Sequence, residues 1–275
     1  MRGSRVLSVG ARRCVLSLVV ALGSLTGASV ALAGEPTGDF AIFKGCPRFT
    51  SGVGMCLYGV THSGEVTVGG RTFPLERPLV LQGGIEKNEQ TSAETLVGAL
   101  TGETLSREPE KVPGGLFGMP LTATLELAPA GEIEVSQPNI EEERGAGLVL
   151  PARIRLENPL LGSECYIGSR SSPIVLRLTT GTTGPDPPNR PISGKFGRLN
   201  GRDGVRWLEI SHNIMVDNTF SMPGASGCGG PGEAPLVDST IDRSLGLPSP
   251  DGHNTIVENN TLWEGEAEAV IASEG

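Results

Sequence analysis

The chain has 275 residues, of which 37% are apolar and only 4% aromatic, and it carries a formal charge of −9. So acidic a balance disfavours nucleic acid and anionic membrane surfaces as partners. Forty glycines and twenty-one prolines cut the sequence into short pieces, which leaves little room for long helices.

Residues 1–33 contain no acid. Arg2, Arg5, Arg12 and Arg13 form a basic leader, an apolar stretch runs from Cys14 to about Leu32, and Ala31-Leu32-Ala33 supplies small residues at a cleavage position. This pattern predicts a signal peptide cleaved after Ala33 and a mature chain of residues 34–275. A retained anchor would need about 20 apolar residues without the breaks at Gly23, Ser24, Thr26, Gly27 and Ser29. Arg12-Arg13 followed by apolar residues also resembles a twin-arginine export signal. The expected location is outside the cell, free or loosely held at its surface, with no integral membrane anchor in the mature chain. Loss of the four leader arginines takes the formal charge from −9 to −13.

Four cysteines remain after cleavage: Cys46, Cys56, Cys165 and Cys228. An even number in an exported chain predicts two disulfides, and four cysteines allow three pairings. Proximity favours Cys46 with Cys56 across Ser51-Gly52-Val53-Gly54, which leaves Cys165 with Cys228. Loop-closure entropy gives about 3 kcal/mol for the short loop and about 4 kcal/mol for the long one. Zinc would want paired short spacings such as C-x-x-C, and none is present. No metal ligands and no cofactor are expected.

The first strong strand signal is Gly64 to Val68, a Gly69-Gly70 turn, and Arg71 to Leu75, read as a hairpin. Pro74 cannot donate to a ladder and places its strand at an edge. Pro78 to Gln82 follows. Thr91 to Glu94 reads as a capping box, with a strand as the other reading of the segment after it. Leu121 to Leu127, Glu132 to Ser136 and Arg153 to Glu157 alternate apolar and polar residues. Ile174 to Leu178, Val205 to Ile210 and Ile214 to Phe220 complete the strands. One helix is predicted near residues 235–245, with Pro235 in its first turn, Val237, Ile241 and Leu245 on one face, and Gly246 as its stop. Gly181 to Pro191 is the most loop-like interior segment. Together these predict a single all-β domain over residues 34–275, an antiparallel β-sandwich or barrel-like domain with one short helix.

Gly38 to Pro47, the second cysteine at Cys56, the hairpin and Leu81-Gln82-Gly83-Gly84 resemble a group of secreted β-rich proteins from high-GC bacteria. Val112 to Leu116 and Gly246 to Pro250 are similar too. The resemblance implies secretion, and the group carries no assigned activity, so it assigns no site residue.

No catalytic motif stands out. His62, His212 and His253 are the only histidines, and H-E-x-x-H, G-x-S-x-G and phosphate-binding glycine loops are missing. Glu209 and Asp217 lie at odd offsets from His212, so on an unbroken strand neither shares its face. His212 therefore reads as a turn or surface residue, and His253 as part of a turn. Glu141-Glu142-Glu143 reads as a solvated loop, and Asn200 to Gly204 as a hairpin turn. Trp207 and Tyr166 read as core residues, Tyr58 as packed near the short disulfide, and Trp263 as packed too, with exposure as its alternative. The sequence thus points to a non-catalytic exported binding or structural module, with a hydrolase using carboxylate chemistry as the alternative.

Overall fold

Antiparallel strands, most of them alternating, make up nearly half of this structure. A computed structural model describes residues 34–69, 71–116, 118–129, 131–202, 205–230 and 232–275; the expected signal peptide lies outside the described residues. Residues 34–275 form one unit of contacts.

A 3-10 turn (Gly38–Phe43) leads into a long strand β1 (Val53–Val68). Then come β2 (Arg71–Leu75), β3 (Leu79–Lys87), β4 (Glu94–Gly98), β5 (Leu105–Arg107), β6 (Glu110–Leu116), β7 (Met119–Leu127) and β8 (Glu134–Val135). Helix α1 (Gln137–Glu141) precedes β9 (Leu148–Glu157), β10 (Tyr166–Ile167), β11 (Ile174–Leu178), β12 (Arg198–Arg202), β13 (Val205–Asp217) and β14 (Ala225–Ser226). Helix α2 (Ala234–Leu245), β15 (Thr255–Glu266) and α3 (Ala267–Ala272) end the fold.

All strand pairs are antiparallel, in the order β12-β13-β15-β1-β3-β4-β8-β9-β10-β14. β2 joins β1, β5 joins β3, and β7 and β11 join β9. The sheet folds over so that the arm holding β13, β15, β1 and β3 faces the arm holding β7, β9 and β11. One apolar core draws on both: Leu57, Leu81 and Ile256 from the first, Leu121, Leu156 and Leu176 from the second. The sheet does not close. Beyond β11, Thr179 meets Val216 of β13 through a single antiparallel bridge.

Local chemistry explains the pieces. In β9, Leu150, Ala152 and Leu156 are buried while Arg153, Arg155 and Glu157 line the other face, where Arg153 meets Glu126 at 2.7 Å. The β1–β2 hairpin pairs Val68 with Arg71, and Pro74 sits in β2, which among the described residues pairs with β1 alone. α2 buries Ile241 and Leu245, carries Pro235 in its first turn, and stops at Gly246 in the left-handed region (φ 74°). Its Asp242 and Asp238 accept the backbone N–H groups of Ala225 (2.7 Å) and Cys228 (2.9 Å), which docks the segment around β14. The other helices, α1 and α3, add short turns that the sequence reading lacked.

A second, smaller core lies on the outer face of β1, where Phe43, Cys56, Trp207 and Val270 pack together. Here Arg48, buried, pairs with Glu274 and donates to the Gly34 carbonyl (2.9 Å), which ties the two ends of the described chain together. Among the described residues, no helix is long and apolar enough to cross a membrane.

Candidate ligand-binding cavity

The inner face of β15 departs from the pattern of the other strands. Period-two geometry points Ile256, Glu258, Asn260, Leu262 and Glu264 the same way. β1 on one side and β13 on the other hold this face against the core. An apolar stripe would suit such a place. Instead Glu258 is 7% exposed, Asn260 3% and Glu264 1%.

Against Glu258, Asn260 and Leu262 lies a cavity of about 170 Å³ between the two arms. Val66, Phe73 and Leu81 line it from one arm, Leu125, Leu150, Leu156 and Leu176 from the other, and Met215 of β13 closes one side. An apolar cavity of about 150 Å³ is large enough to take benzene. Arg77 and Lys111 also line the cavity and are exposed, so it reaches the surface between the β2–β3 turn and β6. Glu110 links these two segments there: its Oε1 accepts the backbone N–H groups of Glu76 (3.0 Å) and Arg77 (2.8 Å).

The polar groups at the inner wall are arranged with a direction. Asn260 Nδ2 donates to Glu258 Oε1 at 3.4 Å. That contact places the amide nitrogen, not the amide oxygen, beside Glu258. Asn260 Oδ1 is buried with no hydrogen-bond partner.

Glu264 forms a separate buried site at the far end of the stripe, where α1 covers the sheet. Gln137 of α1 donates to its Oε2, while its Oε1 has no partner. Burial raises the pKa of Glu264 from 4.5 to about 8, and the nearby charges of Glu141 and Glu94 add to the shift. Six residues of strand separate Glu264 from Glu258, about 20 Å. Paired carboxylates of a glycoside hydrolase sit about 5–9.5 Å apart, so these two do not form such a pair.

The residues singled out in the sequence lie elsewhere. Disulfides join Cys46 to Cys56, in the small outer core, and Cys165 to Cys228, between the β9–β10 turn and the segment before α2. His212 sits at a β-bulge with left-handed backbone (φ 60°) and is exposed. Neither acid serves it: Glu209 accepts Trp263 Nε1 (3.1 Å), and buried Asp217 accepts the N–H groups of Arg177 (2.6 Å) and Thr219 (2.7 Å). His62 contacts Thr261 Oγ1 at 2.9 Å, and His253 is an exposed turn residue. Trp207 is buried, Tyr166 half-buried under Arg153, and Trp263 half-buried against Tyr58 with ring centroids 6.0 Å apart. Glu141 ends α1 and Glu142 caps it, so the acidic run begins inside a helix. Glu143 Oε1 accepts the backbone N–H of Phe196 (2.7 Å).

Among the described residues, no group of three or more His, Cys, Asp or Glu side chains is placed to hold a metal ion. No known protein family, curated protein or solved structure matches this chain.

Proposed function

We propose that this chain is an exported, non-catalytic binding module that holds a small apolar molecule between the two arms of its sheet. The observation that carries the reading is the cavity of about 170 Å³ with an apolar wall, open at the exposed residues Arg77 and Lys111. Close packing is the rule in protein interiors, so a void of this size at the centre of a core costs stability that a ligand can restore. Two disulfides suit an oxidising compartment, and the acid-free leader supports export. A hydrolase using carboxylates has weaker support, because the buried acids of β15 stand too far apart to act together.

The test is to fill the cavity. Ala123 of β7 lines it and pairs with buried Leu156. Ala123→Leu adds three carbons, which stabilises the fold by about 2 kcal/mol if they occupy the void. Ethylbenzene should perturb the methyl NMR signals of the wild-type core and leave those of the variant unchanged. Wild-type protein that ignores ethylbenzene, or a variant that binds it equally well, overturns the proposal.

A further inference from the structure

We infer that the molecule held in this cavity presents a hydrogen-bond donor, a hydroxyl or neutral N–H on an apolar body of six to eight non-hydrogen atoms, to the amide oxygen of Asn260. This rests on the cavity reading above and adds the chemistry at its inner wall.

Three observations carry it. First, Asn260 is 3% exposed, lines the cavity, and has an amide oxygen without a partner. A buried acceptor without a donor is a standing cost to the fold. Second, two other buried asparagines are satisfied. Asn213, opposite Asn260 on β13, accepts the Gly197 N–H (2.9 Å) and donates to the Ile210 carbonyl (3.1 Å). Asn254 accepts the Gly69 N–H (3.3 Å) and donates to the carbonyls of Phe220 (2.9 Å) and Pro250 (2.9 Å). Asn218 also has a buried amide oxygen without a partner, but it does not line the cavity. Third, the Nδ2 contact to Glu258 fixes which way the amide points, so that its oxygen is the atom left without any partner. A carboxylate has no donor to offer that oxygen, and a hydrocarbon leaves it as it is. The volume sets the size, since a slightly smaller cavity takes six carbons.

Benzyl alcohol and ethylbenzene each have eight non-hydrogen atoms and differ by a hydroxyl in place of a methyl. Their affinities are measured by NMR titration for the wild-type protein and for Asn260→Leu. Ethylbenzene is the more apolar ligand in any pocket, so the informative quantity is the ratio of the two affinities. The benzyl alcohol to ethylbenzene ratio is expected to fall about tenfold in Asn260→Leu. A fall of less than threefold overturns the role of Asn260 while leaving the cavity reading intact. Failure of both ligands to bind wild-type protein overturns the cavity reading itself, and this inference with it. Should Asn260→Leu not fold, the wild-type Asn260 side-chain amide signal decides: it should move with benzyl alcohol and stay with ethylbenzene, and equal shifts with both overturn the inference.

Discussion

Glu264→Gln should flatten the pH dependence of stability. The carboxyl is 1% exposed and its pKa stands at about 8, against 4.5 for an exposed glutamate, with burial as the main cause. Between these two values the folded protein holds a proton that the unfolded chain has released. Glu264 therefore costs nothing at pH 4.5 and below, and stability is lost as pH rises towards 8. A gap of 3.5 at about 1.4 kcal/mol each gives about 5 kcal/mol in full, and about 4 kcal/mol between pH 5 and pH 9. Glutamine has the shape of the protonated acid, keeps an oxygen for Gln137, and does not titrate. Urea unfolding of both proteins at pH 5, 7 and 9 isolates this residue from every other titrating group. The two should agree within about 1 kcal/mol at pH 5, and the variant should lead by about 4 kcal/mol at pH 9. A difference that stays constant across the three pH values would refute the assignment of a buried, protonated Glu264.

Two further substitutions probe the wall and mouth of the cavity. At Gly64 of β1, a Cβ would run into the carbonyl oxygen of Val257 and lie 3.0 Å from Glu258 Cα, both backbone atoms of β15. Gly64→Ala should thus cost more than about 2 kcal/mol in urea unfolding, where alanine in a strand normally helps; a loss under about 0.5 kcal/mol would show that the strands can part. Glu110→Ala removes the acceptor shared by the N–H groups of Glu76 and Arg77. Hydrogen exchange should quicken at those two amides, and ethylbenzene should leave the cavity faster, with global stability changed by less than about 1 kcal/mol. Unchanged protection at Glu76 and Arg77 would rule out a latch.

The sequence was most readable where one face of an element is apolar and its ends carry turn chemistry. The Val68–Arg71 hairpin, the alternating β9 and the proline-to-glycine span of α2 all meet that description, and together they were enough for an antiparallel all-β fold. β13 shows in the sequence as two runs, because the bulge at Ser211-His212-Asn213 breaks its alternation; the ladder with β15 continues across it. Glu132 to Ser136 shrank to a two-residue strand, and the capping-box reading at Thr91 gave way to β4, the other reading of that segment. α1 was missed because its five residues are too few for a period to show. The gravest omission was β15, the strand between β1 and β13. Its inward positions carry Glu258, Asn260 and Glu264, so the pattern that announces a half-buried strand is reversed there. Sequence logic fails at the place where polar groups are buried against the cavity, as expected where local rules yield to a site. The run Val257-Glu258-Asn259-Asn260-Thr261, with β-branched residues at both ends, was the signal that could have found it.

The position of β15 late in the sequence also governs how the protein comes into being. β1 and β13 are made first, and each must wait with an unsatisfied edge until residues 255–266 arrive to lie between them. Until then the edge of β1 over residues 55–67 is an unpaired strand edge, the kind of surface that templates aggregation. Assembly of the central ladder is thus an all-at-once closing step of high contact order, slow compared with the local hairpins. A chain truncated before Thr255 loses both the wall that carries Asn260 and the strand that joins β1 to β13.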